Sequence, residues 1–315
     1  MNAAAGAHGP ALVVGIVALV LAVLRILHFC RRYERIEDRP VRSHIHQDED
    51  KKYFTSRIGN LVDAWYFGSL GSAERRQQFA ELQMQSGQNS FGSFLKLDDA
   101  LRHQLPCSTV SELVIASDAF WAVYDYNNIA LCIYEFQQAL EHQMVQYANL
   151  HRPELLRSQP YDCIIHYRIG DFLALGQLID PQSVADACTS LHPQRIGLMD
   201  GGMSHNADEA TRRDSLKVKN ALKRMLQKAL PNTRVDDCPA GDPDTDFFIC
   251  ARSPMLVTAG GSFAICAAIA NHGIVRTPAC ENTNFCQTGS VPVREMRPGW
   301  TTYAYKRFDD AMLSG

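Results

Sequence analysis

From Cys163 onward, short apolar runs of strand length alternate with helix-patterned stretches, and this alternation limits what the chain can fold into. Cys163-Ile164-Ile165-His166-Tyr167-Arg168 reads as a strand with a turn behind it at Gly170-Asp171. Asp180-Pro181 supplies a cap and first-turn pair for a helix through Val184, Ala187, Cys188 and Leu191. Arg195 to Met199 is a second strand. A long amphipathic helix follows, with Asp208 and Glu209 at its start and Leu216, Leu222, Met225, Leu226 and Ala229 along one face. Its C-terminal half carries Lys217, Lys219, Lys223, Arg224 and Lys228, the sign the helix dipole favours there. Pro231 ends it. Thr233 to Val235 starts a strand, Thr245 to Arg252 is a short helix, and Met255 to Ala259 is a buried strand. After the Gly260-Gly261 turn, Ser262 to Asn271 is an Ala-rich helix, and Ile274 to Arg276 is the last strand expected. Strands alternating with helices require crossover connections, hence a mainly parallel sheet in an α/β fold. Ligands of such sheets sit at the carboxyl ends of the strands. The loops of interest are therefore those around Arg168–Phe172, Asp200–Ser204 and Thr258–Phe263.

The first half is less regular. Leu61 to Leu70 is apolar and aromatic, preceded by Arg57-Ile58-Gly59-Asn60, which reads as a glycine turn with Asn60 as helix N-cap. Leu113-Val114-Ile115-Ala116 is a short strand candidate. Ile129, Ile133, Phe136, Leu140, Met144 and Tyr147 recur at helical spacing and form a core stripe.

The N-terminal region differs from the rest. Ala11 to Leu24 is unbroken apolar sequence, Arg25 interrupts it, and Ile26 to Cys30 continue it before Arg31 and Arg32. Ala11 to Cys30 has the roughly 20 mostly apolar residues that a spanning helix needs, with Arg25 placed to snorkel. The expectation is one membrane anchor over residues 1–32 and a charged stem over 33–52. An N-terminal lobe over 53–159 and a C-terminal Rossmann-like lobe over 160–315 complete the division. A cleaved signal peptide fits poorly, because no basic region precedes the run and no small-residue cleavage site follows. The basic residues Arg31, Arg32 and Arg35 follow the anchor, and the positive-inside rule then holds the remainder on the cytoplasmic side.

With 21% charged residues and a formal net charge of -3, the chain lacks the basic footprint of a nucleic-acid partner. Its 10 cysteines include no CxxC or CxxH spacing, which argues against a zinc site. Cys163, Cys250 and Cys266 sit in apolar runs as core thiols, while Cys280 and Cys286 lie in a polar loop and are either a disulfide or two free thiols. His44 and His46 fall in the stem, and His205 has no assignable role.

Three segments have residue types suited to a phosphate-bearing ligand. Arg168 ends a strand, and its guanidinium fork matches diphosphate oxygens, although Asp171 is near enough in sequence to claim it as a salt bridge. Thr258-Ala259-Gly260-Gly261-Ser262-Phe263 runs from strand to helix, so backbone N–H groups at the helix start favour an anion. No Gly-Lys-Ser/Thr follows, so this is not a Walker loop. His166 beside Arg168 reads as a packed, hydrogen-bonded residue. Asp48-Glu49-Asp50, Asp242-Pro243-Asp244 and Asp244-Thr245-Asp246 each fit a D-x-D string that would hold a divalent cation; the latter two also fit turn residues.

Together these segments resemble the GDP-fucose-dependent fucosyltransferases. Arg57-Ile58-Gly59-Asn60, then Asp63 and Phe67-Gly68-Ser69-Leu70, resembles the glycine-asparagine loop and helix of protein O-fucosyltransferases. His166-Tyr167-Arg168-Ile169-Gly170-Asp171 resembles that superfamily's H-x-R-x-G-D signature. Asp246-Phe247-Phe248 followed by Gly261-Ser262-Phe263 resembles its third region, and the three occur in the family's order. The resemblance implies a GT-B-like pair of Rossmann-like lobes with the donor between them. It implies Arg168 on the donor's β-phosphate, Gly59 and Asn60 near the phosphates and the reacting sugar, and His166 within the donor-binding signature. Asp246, Gly261, Ser262 and Phe263 would surround the nucleotide. Asp171 and Asp63 become candidates for the base that deprotonates an acceptor. The implied activity is inverting transfer of fucose from GDP-fucose to a glycan or protein hydroxyl, with no metal or other cofactor, in the Golgi or ER lumen. That compartment conflicts with the orientation the basic flank predicts. Two positions depart from the pattern: Ile169 stands where many members have a second arginine, and Leu61 where Gln is common.

Overall fold

The computed structural model describes residues 58–108, 110–111, 133–174, 176–200, 208–238, 241–280, 291–292 and 297–309. The anchor Ala11–Cys30, the stem with His44, His46 and Asp48-Glu49-Asp50, the strand candidate Leu113–Ala116, His205 and Cys286 lie outside these residues. No helix among the described residues is long and apolar enough to cross a membrane.

The elements of the second half follow the alternation of the sequence. They are β1 (Cys163–His166), α6 (Gly170–Ala174), α7 (Pro181–Thr189), β2 (Arg195–Met199), α8 (Glu209–Ala229) and β3 (Arg234–Asp237), followed by α9 (Pro243–Arg252), β4 (Met255–Thr258), α10 (Ser262–Ala270) and β5 (Ile274–Cys280). Two strands follow that the pattern did not reveal, β6 (Val291–Pro292) and β7 (Trp300–Tyr303). Ile274–Arg276 is therefore not the last strand: β7 pairs with β5, extending the sheet beyond it.

The seven strands among the described residues all pair in parallel, in the order β3-β2-β1-β4-β5, with β6 and β7 both against β5. The chain builds outward from β1 to β3, returns to the other side of β1 as β4, and continues outward. It therefore reverses between β1 and β4, where Cys163 pairs with Met255 and His166 with Thr258. In such sheets the crevice beyond the carboxyl ends at this reversal is the ligand position.

Side-chain alternation along the strands divides the core between two faces. Cys163 and Ile165 of β1, Ile196 and Leu198 of β2 and Val257 of β4 bury against α7 and α8. Ile164, Leu256 and Val275 bury on the opposite face, against α9 and α10. Helices cover both faces, so the fold is a doubly wound α/β sheet, compatible with a Rossmann-like domain.

The first half supplies helices to the second of those faces. They are α1 (Ile58–Ser69), α2 (Ala73–Gln85), α3 (Phe91–Phe94), α4 (Ala100–Gln104) and α5 (Ile133–His151). Trp65, Leu70, Phe91, Phe136 and Tyr147 from these helices join Phe247, Phe248, Leu256 and Ala267 in one apolar cluster. This explains the composition of α10. A helix that is apolar all round must be covered all round, and Ala264 to Ala270 are each at most 3% exposed, with α1, α5, α9 and β4 against them. Among the described residues, 58–159 contains no strand, so the second sheet that a two-lobed reading needs has no strand there. Asn60 is not an N-cap: helix α1 already includes Ile58, which places Gly59 and Asn60 in its first turn.

Candidate functional site

The carboxyl ends of β1 and β4 bring together most of the residues singled out in the sequence. The Tyr167 N–H donates to the Met199 carbonyl and the Ala259 N–H to the His166 carbonyl, fixing both loops at the sheet edge. Arg168 then leaves β1 and projects over the β4–α10 turn. Gly260 and Gly261 take φ values of 96° and 92°, conformations that side chains disfavour. A Cβ on Gly261 would lie 3.0 Å from Arg168 Nη1 and 3.7 Å from Phe172. The glycine thus lets the guanidinium lie against the backbone at the start of α10, where the first N–H groups of a helix are free for an anion.

The guanidinium is held from two other directions. Its Nε donates to Asp171 Oδ1 at 2.9 Å, and Nη2 pairs with Asp171 Oδ2. The Phe172 ring lies beneath it, 4.5 Å from Cζ to the ring centroid. The salt bridge foreseen as a competitor for Arg168 therefore exists. It leaves Nη1 free of Asp171, on the side of Gly261. Gly261→Ala is expected to cost about 1–2 kcal/mol through the strained φ and to displace Arg168 as well, read as a lowered thermal midpoint together with weakened anion binding.

His166 is 3% exposed and stacks on Phe263, with centroids 4.9 Å apart and planes 24° apart. Phe263 in turn meets the edge of Phe247 at 5.7 Å. Burial, and then the nearby Arg168 cation, push the imidazole down to about 4, so it is neutral near pH 7. Its Nδ1 and the Oγ1 of the fully buried Thr258, its partner across β1 and β4, have no hydrogen-bond partner among the described residues. The hydrogen bonding expected for His166 is therefore missing at Nδ1. Two orphaned polar atoms flank the reversal point, where a buried polar group ordinarily finds a partner.

Asp246 lies on α9, where its Oδ1 accepts the Gly241 N–H at 2.9 Å. Burial raises its carboxyl to about 6; the Gly241 bond opposes this, and the charges of Asp242 and Asp200 add to it. The signs of the two shifts oppose each other. His166, depressed, withdraws stability as pH falls from about 6.5 to about 4, because the unfolded chain binds the extra proton. Asp246, raised, withdraws stability as pH climbs from about 4 to about 6, because the folded chain must give one up. Asp246→Asn keeps the acceptor for Gly241 and should stabilise the fold by ~3 kcal/mol at pH 7 and by little at pH 4. Urea unfolding at the two pH values checks this, and a gain independent of pH would refute it.

Gly59 meets α10 from α1. The Cys266 thiol donates to the Gly59 carbonyl at 3.2 Å, one helical turn along α10 from Ser262. Asp63, a candidate base, is buried and paired with Arg75 at 3.2 Å. The D-x-D strings at 242–246 are absorbed by structure. Asp242 caps α9 by accepting from the Asp244 and Thr245 N–H groups, and Arg152 Nη1 donates to both of its oxygens at 2.9 Å. Asp244 is buried and accepts from the Phe91 N–H and the Tyr147 hydroxyl.

Phe172, Thr258 and Tyr303 complete the site without having been picked as site residues. Phe172 carries a readable signal, an aromatic four positions after an arginine in a turn. Thr258 carries another, as the single polar residue ending an apolar strand. Tyr303, whose hydroxyl donates to the Thr258 carbonyl at 2.6 Å, belongs to a strand that the pattern did not reveal.

By architecture, the class defined is a doubly wound α/β domain with the Arg168–Asp171 pair set against a glycine turn at its topological switch. No protein-family model, no curated protein and no solved structure matches the chain.

Proposed function

We propose that the chain is an inverting glycosyltransferase of the fucosyltransferase type, taking fucose from GDP-fucose and passing it to a glycan or protein hydroxyl. The observation that carries this reading is the Arg168 guanidinium lying against Gly261 at the start of α10. As the bond from sugar to diphosphate breaks, negative charge gathers on the departing phosphate. A preplaced cation and helix N–H groups stabilise that charge where it develops. Both candidate bases are paired with an arginine, Asp171 with Arg168 and Asp63 with Arg75; Asp171 is half-exposed and Asp63 buried, which makes Asp171 the more accessible to an acceptor. In this reading the sheet domain is the donor-binding lobe of a GT-B-like pair, tethered by Ala11–Cys30 to a Golgi or ER membrane.

One observation favours an alternative. Asp171 already neutralises Arg168, so a domain that binds a nucleotide sugar without turnover is the second reading. The metal-dependent D-x-D reading loses support, because Asp242 and Asp244 already serve as cap and buried acceptor.

Titration of the full-length chain with GDP-fucose, GDP-mannose and UDP-sugars, with and without chelator, tests the proposal. Metal-independent binding of GDP-fucose with slow hydrolysis supports it. Binding without hydrolysis, even with acceptors present, supports the second reading. A UDP-sugar preference abolished by chelator overturns both.

A further inference from the structure

Cys163 opens β1 and Cys188 lies in the last turn of α7. Both are fully buried in the core face shared by α7 and α8. Their Sγ atoms are 3.9 Å apart, so one thiol hydrogen-bonds the other. Two other core thiols point elsewhere: Cys250 donates to the Met199 sulfur at 3.7 Å and Cys266 to the Gly59 carbonyl. A disulfide brings its sulfurs to about 2.05 Å, so oxidation requires the two sulfurs to close by about 2 Å. The chain between them carries Arg168, Asp171 and Phe172, so a bond here would close a loop around that segment.

We propose that Cys163 and Cys188 are a reversible redox pair, joined as a disulfide by exchange with a low-molecular-weight disulfide and parted by the corresponding thiol. One cysteine thiolate attacks the small disulfide, forming a mixed disulfide and releasing one small thiol. The second cysteine then displaces the other small thiol. The protein loses two hydrogens and two electrons, and the small disulfide gains them as two thiols. The pair's own hydrogen bond, together with burial, holds the Cys163 thiol well above its usual range, so exchange waits on local opening of α7. The closed loop restricts the unfolded chain, so oxidation raises stability. This inference is independent of the proposed transferase activity.

The test incubates the full-length chain with glutathione disulfide just below its thermal midpoint, blocks remaining thiols by alkylation, and maps peptides without reduction. The expected result is a cross-linked peptide pair containing Cys163 and Cys188, with a midpoint higher by on the order of 5–10 °C, reversed by glutathione. In Cys188→Ala, and in Cys163→Val should the first variant fold poorly, the oxidant should leave the midpoint unmoved. Recovery of both residues as alkylated thiols while the exposed Cys107 is consumed would overturn the proposal. So would stable glutathione adducts, or pairing of either residue with another cysteine.

Discussion

Arg168→Ala should reduce transfer by at least about 10²–10³-fold, the usual cost of removing a preplaced group that stabilises transition-state charge. Stability should fall far less. The lost ion pair joins side chains that are 31% and 52% exposed, where water screens the attraction, and the Phe172 contact is worth about 0.5–1 kcal/mol. Arg168→Lys should recover little activity, because an ammonium cannot hold the Asp171 carboxylate through two donors while offering a third towards Gly261. The measurement is single-turnover transfer beside thermal unfolding for each variant. Unchanged turnover in Arg168→Ala removes the residue from the site and the proposal with it.

Asp244→Ala should have the largest effect on stability. Asp244 Oδ2 accepts the Phe91 N–H at 2.6 Å and the Tyr147 hydroxyl at 3.0 Å. Alanine would strand the Phe91 N–H beneath the aromatic cluster of Phe91, Tyr147 and Phe248, and would leave the Tyr147 hydroxyl only the Asn89 carbonyl, which it already meets at 2.7 Å. The buried orphan costs about 1–3 kcal/mol and the lost charge-assisted bond from Tyr147 adds to it, so a loss of about 2–4 kcal/mol is expected. Asp244→Asn keeps one acceptor and should lose less. Chemical denaturation of the metal-free protein decides the matter. If Asp244 instead served a cation, the alanine variant would keep its stability and lose only activity that depends on metal.

The C-terminal half was readable because its two periodicities are clean. Arg195–Met199 was placed as observed, and Asp180 caps α7 through the Ser183 N–H as its pairing with Pro181 suggested. The Ala-rich stretch from Ser262 was read as a helix, but its sequence does not say that α1 and α5 cover its far side. That is a property of the packing. Strand β7 escaped because Trp300-Thr301-Thr302-Tyr303 follows a Pro-Gly turn and alternates over too few residues to declare a face. Within the site, Arg168 and the glycine turn were legible from loop chemistry at strand ends. Asn60 was misplaced because a glycine ahead of an apolar run looks like a turn, whereas burial against α10 draws Gly59 into the helix. The isolation of His166 Nδ1 and Thr258 Oγ1 depends on strand register, which no local pattern encodes.

The segment after β7 runs back across the sheet to the connection between α6 and α7. The Asp180 N–H donates to the Lys306 carbonyl and the Phe308 N–H to the Leu178 carbonyl, while the Ser183 hydroxyl accepts the Lys306 N–H. Tyr303, Tyr305 and Phe308 pack on the same core face as α7. These ties join residues made more than a hundred positions apart, so on the ribosome the connection between α6 and α7 emerges long before the segment that secures it. A nascent chain holding β1 through β5 has a complete sheet centre and an untethered connection between α6 and α7. The order of synthesis thus delays the anchored connection between α6 and α7 until the last strand of the sheet has been made.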